Sequence, residues 1–299
     1  MLKKKSLEEI PFLYDAVKRE CGIDPMYDAA FIQNGTIYFW HYKNCNNANN
    51  GHSTTKLFID SCVGILSDRG MLDVKAPVTS FFTKDELPDT VDPKWNCVTV
   101  HDAMRHRMGI DVVPYGVDED EDIEKIGDDF LRYVFSLELP YAPDVYYRYS
   151  DAAYYLLSRI ISSASGEKCQ DFMFENLLKP LGFRQWATAV CPRGYMIGGG
   201  GFFSRADDMA KLPYVYANGG VYDGKRILSE SWTRLAVENH YALDEHGTTG
   251  AYYKTGAMGQ GVIFKNNASF AWHGCSPDDG GNRTTRLFDA FCDYVMSTE

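Results

Sequence analysis

The chain has 299 residues, 45% hydrophobic and 14% aromatic, which suffices for one large domain or two intertwined lobes and argues against a disordered chain. A net charge of −11 argues against nucleic acid as a partner, because neutralising phosphates takes a basic face. Lys3-Lys4-Lys5 runs into Ser6-Leu7-Glu8-Glu9-Ile10-Pro11 rather than an apolar run, so no secretory signal is read, and no stretch approaches the roughly 18 apolar residues of a membrane span. Eight cysteines without a Cys-x-x-Cys pair or zinc spacing read as reduced thiols packed as small hydrophobes, in a soluble cytoplasmic protein with no metal.

In chain order, Ser6-Leu7-Glu8-Glu9 has a capping-box pattern, and Ile10, Leu13, Ala16 and Val17 form one stripe, predicting an amphipathic helix over 6–21 that Gly22 ends. Asn34-Gly35 between Ala29–Gln33 and Thr36–Tyr42 predicts a β-hairpin. The Asn-rich stretch 43–51 reads as a loop that delivers the chain to a helix beginning near Ser53 and ending at Asp68-Arg69-Gly70. Residues 71–88, punctuated by Pro77 and Pro88, look irregular, and a helix follows from Thr99, with Thr99 or Thr90 as cap. Asp118–Asp122 and Asp128-Asp129 read as a solvated loop and helix start, with metal capture the lesser alternative.

Helical runs are predicted at Phe130–Phe135 and Asp151–Ser163. Gly198–Gly201 lacks a following Gly-Lys-Ser/Thr, so a turn or close backbone packing is read there rather than a phosphate loop, and Ser204 is the predicted cap of the next helix. Gly261–Phe264 and Ser269–His273 read as strands separated by Asn266-Asn267, and Thr284–Met296 as a closing amphipathic helix. The pattern predicts an α+β fold, a central antiparallel sheet assembled from both chain ends and flanked by helices, with an inserted all-helical lobe. The expected division is a single domain, 1–299, with an α/β lobe at 1–70 and 186–299 and the helical lobe at 71–185.

Three motifs carry chemistry. Ser53-Thr54-Thr55-Lys56 precedes apolar residues at 57, 58, 59, 62, 63, 65 and 66, which places Ser53 and Lys56 one turn apart at the start of a buried helix. A lysine amine kept neutral beside a serine hydroxyl can take its proton, and the helix N-terminus favours the negative charge that develops. Ser165-Gly166-Glu167-Lys168 repeats the spacing, so the pattern needs context. Tyr149-Ser150-Asp151 lies just before a helix, and Lys254-Thr255-Gly256 just before a strand.

With these motifs in this order the chain resembles the serine β-lactamase and penicillin-binding-protein superfamily, in its class C, D-alanyl-D-alanine carboxypeptidase and esterase-like branch. The likeness extends through Thr99–His106, Gly109, Tyr154, Ser165-Gly166, Pro180-Leu181-Gly182-Phe183 and Gly199–Ser204. It implies Ser53 as acylated nucleophile, Lys56 as its base, and Tyr149 between Lys56 and Lys254 as proton shuttle. It further implies an oxyanion hole from the N–H groups of Ser53 and Ala257, with Lys254-Thr255 engaging a substrate carboxylate and Gly256 leaving room beside the strand. Ser165-Gly166 then matches a helix end and leaves Lys168 an ordinary surface lysine.

Asp151 stands where many relatives have Asn; a carboxylate there pairs with Lys56 and repels an anionic substrate. The implied activity is that of a serine hydrolase acting through an acyl-enzyme on a small ester, amide, peptide or lactam, without cofactor. The alternative is a penicillin-binding or sensor module that keeps the fold without turnover. A thiol site at His273-Gly274-Cys275 and a base role for His52 are the weaker readings, since a packed strand end explains the first and adjacent helical residues do not face each other.

Overall fold

The computed structural model describes residues 2–43, 47–112, 126–276 and 281–298. In chain order its main elements are β1 (Lys3–Ser6), α1 (Pro11–Ile23), β2 (Met26–Gln33), β3 (Thr36–His41), α2 (Thr55–Asp68) and α3 (Val100–Met104). There follow α4 (Phe130–Ser136), α5 (Asp151–Ser165), α6 (Cys169–Met173), α7 (Ala206–Met209), α8 (Lys211–Ala217) and α9 (Glu230–Glu238). The chain closes with β4 (Asp244–Glu245), β5 (Tyr252–Gly256), β6 (Gln260–Lys265), β7 (Ala268–Gly274) and α10 (Gly281–Ser297).

The fold is α+β, with two compact units: Met1–Thr54, Leu178–Ala187 and Phe202–Glu299 form the first, and Thr55–Leu177 with Thr188–Gly201 the second. The first holds a seven-stranded sheet in the order β1-β3-β2-β7-β6-β5-β4. The predicted hairpin forms, with Asn34 and Gly35 at φ of 48° and 71°, the left-handed values a two-residue hairpin turn requires. Alternation along the strands separates the faces: Ala29, Phe31, Phe270 and Trp272 pack against Leu13, Val17, Leu287 and Phe291 of α1 and α10. Such a buried aromatic or leucine stabilises the fold by about 1.5–3 kcal/mol. On the other face Ser269 donates to the Ala210 carbonyl (2.8 Å) and Phe264 packs on Tyr216 of α8.

Several expectations are corrected. The sheet is mixed rather than wholly antiparallel, because β1 runs parallel to β3. Ser6 caps a short 3-10 turn, Leu7–Glu9, while α1 begins at Pro11, whose missing N–H suits a first helical position, and runs past Gly22 to Ile23. Lys254-Thr255-Gly256 lies within a strand, not before one. Ser204 belongs to a short strand, and Arg205 is the residue that flanks α7. Thr99, not Thr90, caps α3, in a reciprocal box with Asp102. Asn49-Asn50 pairs with Phe203 and Ser204, so that part of the expected loop is a strand. The expectation for Asp118–Asp122 lies outside the described residues, whereas Asp129 caps α4 through the Arg132 N–H.

The second unit is helical. Ser150 caps α5 by accepting from the Ala152 N–H, and Gly166 ends it in the left-handed conformation (φ 75°). From Thr55 to Leu66 every residue of α2 is buried, so its polar members Lys56, Asp60 and Ser61 must find partners inside.

Candidate active site

Each unit carries its own share of the predicted residues. In the first, His52–Thr54 forms a 3-10 turn, so Ser53 lies just ahead of α2 rather than within it. The turn is fastened from both ends: the Gly51 N–H donates to the Phe202 carbonyl (2.9 Å), His52 N–H to Asn50 Oδ1 (2.9 Å), and Thr54 Oγ1 to the Gly51 carbonyl (2.9 Å). His52 sits at a left-handed φ of 47°.

Against this turn runs the end of β5. A Cβ at Gly256 would lie 2.4 Å from the Gly51 carbonyl oxygen and 3.1 Å from the Ser53 nitrogen, so only glycine allows the strand this close. Lys254 is buried and pairs in register with Val262, Thr255 with Gly261 and Gly256 with Gln260. Ala257 opens a 3-10 turn, and the next residue, Met258, holds its carbonyl on the Ser276 N–H (3.1 Å). Gln260 clamps Gly274 from both sides, donating to its carbonyl (2.6 Å) and accepting its N–H (2.9 Å) at the bulge after His273. His273 itself is wholly buried with Nδ1 2.8 Å from Asp28, the packed strand end that the sequence favoured.

The second unit gathers Lys56, Tyr149 and Asp151. Lys56 has no exposure; its Nζ lies 2.5 Å from Asp151 Oδ1 and donates to the Gly199 carbonyl (2.5 Å). The same nitrogen sits 4.7 Å from the Tyr149 ring centroid and 5.4 Å from that of Tyr154. Burial pushes the Lys56 amine below its ordinary pKa; Asp151 and Asp60 pull it upward without outweighing desolvation. Gly199 has no room for a side chain, since a Cβ would fall 2.6 Å from Asp151 Oδ1. That close approach is what the glycine run between 198 and 201 provides.

Three residues of this cluster were given no role by the motifs, although Tyr154 and His106 fall within the family likeness. Asp60, one turn along α2, accepts from the Tyr154 hydroxyl (2.9 Å), which also lies 3.1 Å from the Met104 carbonyl. Burial, and then Asp60, push the Tyr154 phenol far above its usual pKa, so Tyr154 is a fixed donor. His106 lies with its ring 4.4 Å from that of Tyr149. The i, i+4 spacing of Lys56 and Asp60 was a usable signal; nothing local points to the other two. The second Ser-x-x-Lys has no such surroundings: Ser165 Oγ bonds the Glu167 backbone, and Lys168 Nζ lies 5.5 Å from the Tyr195 ring.

A seven-stranded sheet with helices on both faces, an inserted helical lobe with a buried lysine and a Lys-Thr-Gly strand define the architecture of the β-lactamase and penicillin-binding-protein superfamily. The Beta-lactamase family profile matches residues 51–289, and the chain belongs to that family. A 6-aminohexanoate-dimer hydrolase of Paenarthrobacter ureafaciens is 24% identical over 215 residues, 67% of this chain; the chain spans about half, 54%, of that relative's length.

Among solved structures, one from Bacillus anthracis assigned as a 6-aminohexanoate-dimer hydrolase superposes with a TM-score of 0.78 at 15% identity, covering 94% of this chain and 82% of that one. A family VIII carboxylesterase gives 0.74 at 16% identity, covering 98% and 100%. An octameric penicillin-binding protein homologue from Pyrococcus abyssi gives 0.74 at 17%, covering 96% and 77%. Among the described residues no helix is long and apolar enough to cross a membrane, and no cluster of three potential metal ligands is found.

Proposed function

We propose that the protein is a serine hydrolase that cleaves a small ester, amide, peptide or lactam through an acyl-serine at Ser53. The observation that carries this reading is Lys56: three residues after a serine, wholly buried, and held by desolvation below the ordinary lysine pKa. In this reading the neutral Lys56 amine, with the Tyr149 phenol, takes the Ser53 proton as Oγ attacks the substrate carbonyl. The N–H groups of Ser53 and Ala257 hold the oxyanion. The proton passes to the leaving amine or alcohol through Tyr149, the acyl–Oγ bond forms as the scissile bond breaks, and water then releases the acid. Lys254 and Thr255 engage a carboxylate of the substrate. The names of two relatives favour a linear amide with a terminal charge as the first substrate class to test. A reducing, cytoplasmic setting belongs to the same reading, supported by free thiols at all seven described cysteines.

One observation favours the second reading, a penicillin-binding sensor. Asp151 and the Gly199 carbonyl both accept from Lys56, and two acceptors favour the charged amine, which slows the proton transfers that repeated turnover needs. Intact-protein mass after exposure to a penicillin and, separately, to an activated ester decides between them. A stoichiometric adduct on the native protein, absent in Ser53→Ala, that decays with catalytic turnover supports the hydrolase. A stable adduct supports the sensor, and no adduct with no ester turnover defeats both.

A further inference from the structure

We propose that His106 is the positioning residue for Tyr149, an inference that rests on the serine-hydrolase reading. His106 follows α3 and is 6% exposed. Its φ is 55°, a left-handed value that costs a residue with a Cβ and persists only where surrounding contacts fix it. Those contacts converge on one place. The Arg148 N–H donates to the His106 carbonyl (2.9 Å), and the Ser150 N–H donates to His106 Nδ1 (3.2 Å). The residue between them is Tyr149, and the His106 ring lies on its ring at 33° with centroids 4.4 Å apart. The Tyr147–Arg148 peptide, the Tyr149–Ser150 peptide and the phenol ring are thus all held by one side chain and its own backbone.

The hold has a direction. Because Nδ1 accepts, the imidazole is neutral with its proton on Nε2. Ser150, fixed by that bond, is the cap of α5, and the next residue, Asp151, is the partner of Lys56. One hydrogen bond accepted by His106 therefore sets both the phenol that moves the proton and the carboxylate that tunes the amine. Packing alone would ask only for a ring of this size; the acceptor nitrogen is what a packing role leaves unused. Tyr147 and Tyr154 complete the rings around the imidazole, at 5.9 and 5.2 Å.

The test compares His106→Ala, His106→Asn and His106→Gln in hydrolysis of a p-nitrophenyl ester, with Ser53→Ala alongside. The Asn amide oxygen can take the Ser150 N–H as Nδ1 does, and Asn tolerates left-handed φ; in Gln the oxygen lies one bond further out. A misplaced phenol should cost His106→Ala and His106→Gln about tenfold or more in kcat, with KM changed by less than about threefold. Their acid limb of kcat/KM should move to lower pH, because Asp151, no longer held beside Lys56 through the Ser150 cap, stops raising the pKa of that amine. His106→Asn should recover most of kcat and restore the limb. Equal kcat and pH profiles in His106→Asn and His106→Gln overturn the proposal. So does a His106→Asn protein that fails to fold, since that assigns His106 to structure alone. Ester turnover surviving in Ser53→Ala removes the serine-hydrolase reading, and the His106 assignment falls with it; an inactive Ser53→Ala leaves the His106 variants to decide the matter by themselves.

Discussion

Two buried lysines have nearly the same surroundings. Lys56 has Asp151 Oδ1 at 2.5 Å, the Gly199 carbonyl at 2.5 Å and the Tyr149 ring at 4.7 Å. Lys211 has Asp208 Oδ1 at 2.5 Å, the Gly182 carbonyl at 3.0 Å and the Phe183 ring at 5.4 Å. Burial lowers the pKa of both, against the pull of neighbouring carboxylates. What differs is the company: the aromatic near Lys56 carries a hydroxyl and the residue three positions earlier is Ser53, whereas Lys211 has a phenylalanine and, three positions earlier, its own partner Asp208. A depressed lysine pKa is therefore a consequence of burial and does not by itself mark a site; a transferable proton within the same local motif does.

The comparison can be broken most sharply at Lys56. Lys56→Arg puts a permanent charge where the mechanism needs a neutral amine and cannot deprotonate, so kcat for an activated ester should fall about 10³-fold, with the fold preserved by near-UV circular dichroism. Next in size is Gly256→Ala, whose Cβ meets the Gly51 carbonyl at 2.4 Å and pushes the strand from the Ser53 turn. A displacement of this kind should cost about 10² in kcat/KM, read in the same assay.

Asp151→Asn should move the acid limb of kcat/KM to lower pH, because Asp151 raises the Lys56 pKa and its removal leaves desolvation less opposed. A limb that moves upward means another group is titrating. The smallest effect on activity belongs to Lys211→Met: turnover per folded molecule should stay within about twofold, while urea denaturation shows a loss of roughly 3 kcal/mol from the unpaired Asp208. Its signature is also in pH. A lysine whose folded pKa is depressed binds fewer protons folded than unfolded between that value and the usual one, so stability rises with pH across the window, and Lys211→Met should flatten that rise.

How much of this was legible follows from what is local. The Asn34-Gly35 hairpin, the helix expected near Ser53 and the closing helix are written in turn residues and period, and all three form, the second as Thr55–Asp68. β1 was missed because Lys3-Lys4-Lys5-Ser6 has no alternation and the charges of a short edge strand. The strand at Lys254-Thr255-Gly256 was displaced because lysine and glycine are poor strand formers, and its pairing with β6 overrides them. Ser53, Lys56, Tyr149 and Lys254 were findable as motif residues. The partners Tyr154 and Gly199 of the Lys56 cluster, and the place of His106 against Tyr149, come from segments far apart in the chain, which no spacing rule reads.

The parallel strand β1 has one more consequence, for handling rather than chemistry. It covers β3, whose sequence Thr36-Ile37-Tyr38-Phe39-Trp40-His41 is uncharged, β-branched and aromatic, the composition that favours strand stacking between molecules. Residues 3–6 pair with Thr36–Phe39 and occupy the hydrogen bonds of that border, with Lys4 held by Asp207 and Lys5 by Glu9. Shortening the chain past Ser6, or fusing a tag that competes for β3, turns a sealed border into a template for aggregation.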